Sequence, residues 1–277
     1  MMPRSPRRRR AWLGLLALLA TPAALAAQAD EQLWRFVDAQ GGFCVWYLAD
    51  PAVAPEVVPA GTPLRPASAT AALPEVLLRL VQDEPRFAEW VPGVVCLGLF
   101  TTAAADGEPV GSMRPGRPLV LTLHALAAAS PYGQDAGWQL ASVGLRAGSL
   151  DRVAERGWIA VGEPDYRVRA GLEGEDDQWE LSFDGIKLNW TGHPTGEPRV
   201  ASTRSMSFGY AGNRNSTWLV ELRSAPATEQ NQLGALRVEG RNPLATLLKS
   251  SPIRTVGPLA SGGELTMTFR RLVAATP

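Results

Sequence analysis

The stretch from Trp179 to Trp190 constrains this chain more than any other. Its residues alternate between apolar and polar on both sides of Asp184-Gly185, a dipeptide suited to the two positive φ values of a type I′ turn. Folding about that turn pairs Phe183 with Ile186, Leu181 with Leu188 and Trp179 with Trp190 on one face. The other face pairs Ser182 with Lys187 and Glu180 with Asn189. Every pair agrees in character, and a slip of one residue would turn the apolar set to the wrong side, so the register is specified locally.

The same period-two alternation recurs along the chain. It predicts strands at Phe43 to Leu48, Val94 to Thr101, Leu119 to Leu126, Trp138 to Arg146 and Tyr166 to Ala170. After the hairpin come Ser205 to Tyr210, Thr217 to Ser224, Ala235 to Glu239 and Glu264 to Arg270. Helices are few. Leu73 to Trp90 reads as two short amphipathic helices broken before Pro85, Ser149 caps a helix through Arg156, and Asn242-Pro243 opens another through Lys249. Ala52 to Ala69 and Ala103 to Pro118 read as Pro/Gly/Ala-rich connections. The expected fold is mainly β, a β-rich α+β architecture. It would be one large antiparallel sheet closed or partly closed into a barrel, in a single domain over residues 30–277.

Residues 1–29 carry an address rather than structure. Arg4 and Arg7 to Arg10 form a cationic start, Ala11 to Ala20 an apolar core too short to span a bilayer, and Pro22 and small residues follow. This is the order of a secretory signal peptide, with cleavage expected before Ala27 or Asp30 and with general and twin-arginine export both open. The protein is therefore expected to be periplasmic or extracellular, and bacterial in character. Five of the chain's 27 basic residues lie in that segment, leaving 22 against 27 acidic residues and a net charge of −5. An acidic chain without a basic block argues against nucleic acid as a partner. No later apolar run approaches the ~20 residues of a spanning helix.

In an oxidising compartment Cys44 and Cys96, each inside a strand-like run, are expected to form a disulfide. Other chemistry is sparse. Only Lys187 and Lys249 accompany 25 arginines. Lys187 belongs to the polar face of the hairpin, where it is a solubilising residue unless a closed barrel turns that face inward. Lys249 ends its helix, where a cation suits the dipole. His124 shares a strand face with Val120 and Thr122 and reads as a structural histidine with a hydrogen-bond partner; His193 reads as a loop residue. The two histidines form no metal-ligand pattern, no nucleophile elbow or phosphate loop occurs, and no metal or cofactor is expected. Gly174 to Asp177 reads as a solvated acidic turn. Eight tryptophans beyond the signal segment serve as sheet anchors, with a subset able to line a cavity.

Three places carry a resemblance. Leu150 to Val168 reads as a helix, a glycine turn (Gly162-Glu163-Pro164-Asp165-Tyr166) and a strand start; antiparallel strands follow; and Gly234 to Gly240 leads into Asn242-Pro243-Leu244-Ala245. Over this half the chain resembles the acetoacetate decarboxylase-like superfamily, whose members fold as a closed or nearly closed β-barrel around a ligand pocket. The resemblance places paired lysines after the Gly-x-Pro turn, where this chain has Asp165 and Tyr166. Neither residue can form an imine, so Schiff-base decarboxylation is disfavoured. Binding of a small, largely apolar molecule becomes the leading expectation. An enzyme using Asp165, Tyr166 or Lys187 as catalytic groups, and a structural envelope or interaction protein without a pocket, are the alternatives.

Overall fold

The computed structural model describes residues 31–70, 73–112, 119–129, 137–146, 161–162, 164–169, 171–172, 175–211 and 217–272. The signal segment and the helix expected from Ser149 to Arg156 lie outside the described residues. Among those described, fifteen strands join in one hydrogen-bonded sheet with two α-helices beside it. In chain order the strands are β1 (Glu31–Ala49), β2 (Val91–Ala105), β3 (Glu108–Ser112), β4 (Leu119–Ala127) and β5 (Trp138–Arg146). Then come β6 (Val161–Gly162), β7 (Asp165–Arg169), β8 (Asp177–Phe183), β9 (Ile186–Val200) and β10 (Arg204–Ala211). The last are β11 (Thr217–Ser224), β12 (Thr228–Gly240), β13 (Arg254–Val256), β14 (Leu259–Ser261) and β15 (Glu264–Leu272).

Hydrogen-bonded neighbours follow the path β1–β2–β4–β5–β10–β11–β15 and return to β1, so seven strands close into a ring. A second arm leaves β1 through β14, β12, β9 and β8 to β7. The long β1 makes this branching possible: β2 takes one edge along its length, and β15, β14 and β13 share the other. The β-rich expectation holds. One part of it is corrected, because the sheet is mixed: β5 pairs in parallel with β10 and with β6. The reason is topological. The chain leaves the ring after β5 to build β7, β8 and β9 before re-entering at β10, and a crossover of that length lets the returning strand run parallel.

Why β1 is so long follows from its middle. Asp38 has φ 57° and the β1–β2 register shifts between Ala39 and Gly41. The Asp38 to Gly42 stretch is therefore a β-bulge that bends the strand without ending it. A second departure lies in the connection expected from Ala103 to Pro118. Asp106 and Gly107 take φ 52° and 84°, and β3 returns antiparallel to β2 as a hairpin.

The Trp179–Trp190 hairpin forms in the predicted register at every pair, with Asp184 and Gly185 at φ 45° and 71°. Its apolar face is buried, and Trp179 packs at a tilt against Phe43 of β1 with ring centroids 4.3 Å apart. Strand β4 is buried at all nine positions despite its alternation. Leu121 and Leu123 face the inside of the ring, while Val120, Thr122 and His124 face outward on the side where Phe43 meets the hairpin layer. On β9 and β12, Gly192 and Gly234 stand opposite each other beneath the Trp190 indole; a Cβ on either would lie under 3 Å from that ring.

Of the two short helices expected from Leu73 to Trp90 the first forms and the second is reduced to a 3-10 turn, while the helix opened by Asn242-Pro243 forms as expected. Helix α1 (Glu75–Asp83) ends before Pro85, which starts a short 3-10 turn to Phe87. Helix α2 (Pro243–Ser250) is capped by the Asn242 side chain, which accepts from the Ala245 amide at 2.8 Å.

Candidate functional site

Aromatic side chains fill part of the seven-strand ring. Trp34 lies 5.4 Å from Phe269 and Phe36 lies 5.1 Å from Phe100, measured between ring centroids. Beyond Phe100 the ring encloses a cavity of about 270 Å³. Trp46, Leu121, Leu123, Met206 and Leu222 form much of its wall. Strand register explains why they converge. Met206 and Leu222 are directly opposite on β10 and β11, and Leu123 stands opposite Cys96 on β2. Directly opposed residues share a face of the sheet, so each pair presents both side chains inward.

The disulfide expected from sequence is present and belongs to this wall. Cys44 and Cys96 are direct cross-strand partners with Cα atoms 4.0 Å apart, and both line the cavity.

Two ion pairs involve residues of the lining. Glu229, on β12, has a side chain only 6% exposed, and Arg204, on β10, holds it with one guanidinium nitrogen on each carboxylate oxygen at 2.8 and 2.9 Å. Arg199 approaches the same carboxylate at 4.0 Å from a well-exposed position. Glu264 receives Arg35 in the same two-pronged manner at 2.5 and 2.6 Å. Hydrogen bonding to Arg35 holds the Glu264 carboxyl below the usual carboxylate range, and the same hydrogen bond raises Arg35. These residues carry no sequence motif. Arg204 and Glu229 meet only because β12 begins several residues before the Ala235 to Glu239 strand read from the sequence.

A buried polar pair lies on the opposite face of the β1–β2–β4 wall. The Tyr47 hydroxyl and His124 Nε2 are 2.6 Å apart, both side chains are buried, and the rings are stacked. This is the structural histidine with a partner expected from sequence. Burial pushes His124 down to about 3 and raises Tyr47. Its Nδ1 has no hydrogen-bond partner among the described residues.

The sequence-derived candidates lie elsewhere. Asp165 is half-exposed on β7 and paired with Arg146 at 2.8 Å and Arg167 at 3.2 Å. Tyr166 is its chain neighbour but packs toward the core, and burial together with the negative charge of Asp177 raises it to about 12. Lys187 lies on the half-exposed face of the hairpin with its Nζ 2.5 Å from Glu180. Lys249 donates to the Gly240 carbonyl at 2.5 Å. Asp165 and Tyr166 are adjacent through the chain alone, and neither they nor the lysines are among the residues lining the cavity. His193 is placed on β9 rather than in a loop and pairs with Asp176 at 2.7 Å. Among the described residues no group of three or more His, Cys, Asp or Glu side chains is arranged to hold a metal ion. No described helix is long and apolar enough to cross a membrane.

No protein-family model matches the chain, and no curated protein matches it in sequence. Among solved structures the chain is similar to the acetoacetate decarboxylase of Legionella pneumophila, at 10% identity over 87% of each chain with a TM-score of 0.48. It is also similar to an acetoacetate decarboxylase-like enzyme from Sphingomonas wittichii, at 15% identity over 89% of this chain and 94% of that one, TM-score 0.44. The enduracididine biosynthesis enzyme MppR complexed with pyruvate matches at 11% identity over 87% of this chain and 88% of its own, TM-score 0.43.

Proposed function

We propose that this is an exported protein that binds a small, largely apolar molecule inside the seven-strand ring. The cavity carries the reading. About 270 Å³ lies near the lower end of the ~300–1,000 Å³ typical of ligand pockets, and its walls are mainly aromatic and aliphatic with few polar groups. An apolar cavity of ~150 Å³ suffices for benzene, so the space suits one aromatic ring or a short aliphatic chain. The signal-like N-terminus and the disulfide agree with an oxidising compartment.

Met206→Trp is the direct test, because the indole would occupy the cavity from β10 without changing charge. For the native protein, toluene at about a hundred times its Kd should raise stability by ~2.7 kcal/mol. In Met206→Trp that shift should vanish while the protein stays folded. An unchanged toluene response in the variant would refute the cavity as the binding site.

The same reading excludes imine chemistry. Lys187 and Lys249 are engaged with Glu180 and the Gly240 carbonyl, and neither side chain is buried among apolar groups or set beside a cation that would activate it. Borohydride reduction in the presence of acetoacetate should leave the protein mass unchanged. A stable adduct on Lys187 would restore a Schiff-base enzyme as the better reading.

A further inference from the structure

We infer that the ring cavity selects neutral ligands that carry one hydroxyl on an otherwise apolar body, with the Glu229–Arg204 pair as the recognition element. This rests on the cavity being the binding site and names the chemistry it prefers. The observation is an ion pair with a buried carboxylate, built into a mainly apolar wall. Glu229 is almost wholly buried and lines the cavity, and Arg204, 58% exposed, satisfies both of its oxygens at once.

Such a pair adds little to stability, since two desolvated charges recover about what they lose, and apolar side chains could fill the same space. Its consequence for a ligand is more specific. The carboxylate keeps further lone pairs able to accept, and the guanidinium keeps N–H groups able to donate. A hydroxyl can donate to the first and accept from the second. A carboxylate or an ammonium can do only one of these, and it brings a charge into an apolar space where the nearest charges already neutralise each other. The other lining carboxylate, Glu264, is likewise compensated by Arg35 outside the lining. Arg199 stands 4.0 Å from Glu229 but is 64% exposed, so solvent screens it. Asp38, on the bulge beside the cavity residue Ala39, is exposed and lies within hydrogen-bond reach of Gln40 and Thr101. The wall therefore asks for a neutral donor-acceptor group at this pair and mainly apolar surface elsewhere.

Four probes built on one benzene ring separate the possibilities: toluene, benzyl alcohol, benzoate and benzylammonium, each titrated calorimetrically against the full exported chain. Benzyl alcohol should bind at least about tenfold more tightly than toluene, the scale of one hydrogen bond to a charged group. Benzoate and benzylammonium should bind at least about tenfold more weakly than benzyl alcohol. Two reciprocal variants then assign the effect. Glu229→Gln leaves the Arg204 charge uncompensated and should raise benzoate affinity at least about tenfold, whereas Arg204→Gln should do the same for benzylammonium. Equal binding of toluene and benzyl alcohol, or tightest binding of either ion, would overturn this inference and leave the cavity reading standing. Failure of all four probes, toluene included, would overturn the cavity reading itself. The expected order in the native protein with no shift in either variant would assign the preference to another group and overturn the role of this pair.

Discussion

Reducing the Cys44–Cys96 bridge should lower the free energy of unfolding by ~4 kcal/mol while leaving the folded sheet intact. The bridge spans a sequence separation of 52 residues, and in the chain-entropy model a closed loop of that length restricts the unfolded chain by about that amount. The folded state needs it much less. Cys44 and Cys96 are one opposed pair in an antiparallel ladder that runs from Trp34 opposite Ala105 to Ala49 opposite Val91. Hydrogen bonds on both sides of the bridge hold those strands together without it. Urea unfolding with and without a reductant, and of the Cys44→Ser/Cys96→Ser double variant, checks this. The midpoint should fall in both cases, with far-ultraviolet circular dichroism unchanged before the transition. A loss below ~1 kcal/mol would show that the unfolded chain is not being restrained by the bridge.

The parts of the fold that were legible in the sequence are those whose information is local. In the Trp179–Trp190 hairpin the turn dipeptide and five cross-strand pairs all favour one register, and the structure adopts it. Trp138–Arg146 and Thr217–Ser224 were legible to the residue, because their alternation starts and stops beside Gly, Asn or Ser. Asp106-Gly107 has the same turn chemistry as Asp184-Gly185. Its flanking strand residues are mostly alanine, threonine and glycine, so the contrast between faces that marks a strand is absent. The strand read from Phe43 to Leu48 is only the end of β1, because the bulge at Asp38 to Gly42 interrupts the alternation before it. The parallel pairing of β5 with β10 has no local signature at all, because it joins residues far apart in the chain, Trp138 opposite Phe208.

The site divides along the same line. His124 was legible as a structural residue because its strand face follows from alternation, although its partner Tyr47, 77 residues away, did not. A cavity is the space left when strands from distant parts of a chain close around side chains of particular sizes, and no single stretch records it. Glu229 and Arg204 look like ordinary charges until the start of β12, in the second arm, meets β10 of the ring at the cavity wall. The resemblance to acetoacetate decarboxylase-like proteins, by contrast, was carried by short local motifs around Asp165 and Asn242, and these lie in the second arm of the sheet and its helix rather than at the cavity.

His124 should make the fold acid-sensitive well above the pH at which carboxylates are protonated. Its side chain is 1% exposed, and burial lowers it from the ordinary value near 6.5 to about 3. In the folded protein it stays neutral through that interval, whereas in the unfolded chain it takes up a proton as soon as the pH falls below ~6.5. The unfolded state therefore binds the extra proton, and stability falls as pH falls. The contribution of the neutral imidazole is complete above pH ~6.5 and is lost progressively down to about pH 3, at ~1.4 kcal/mol per pH unit and on the order of 5 kcal/mol in all. Tyr47 is raised by the same burial and stays neutral throughout, so it supplies no compensating charge. His124→Gln isolates the effect, because the amide can still hydrogen-bond the Tyr47 hydroxyl but cannot titrate. Urea unfolding of both proteins from pH 7.5 to 4 should give curves that converge as pH falls, the native protein losing about one proton's worth of slope more than the variant. Every other titrating group, the Glu264–Arg35 pair included, is common to the two proteins and cancels in the difference. Parallel curves would mean that the imidazole is reached by protons in the folded state, and the Tyr47–His124 pair would then have to open to solvent without unfolding the sheet.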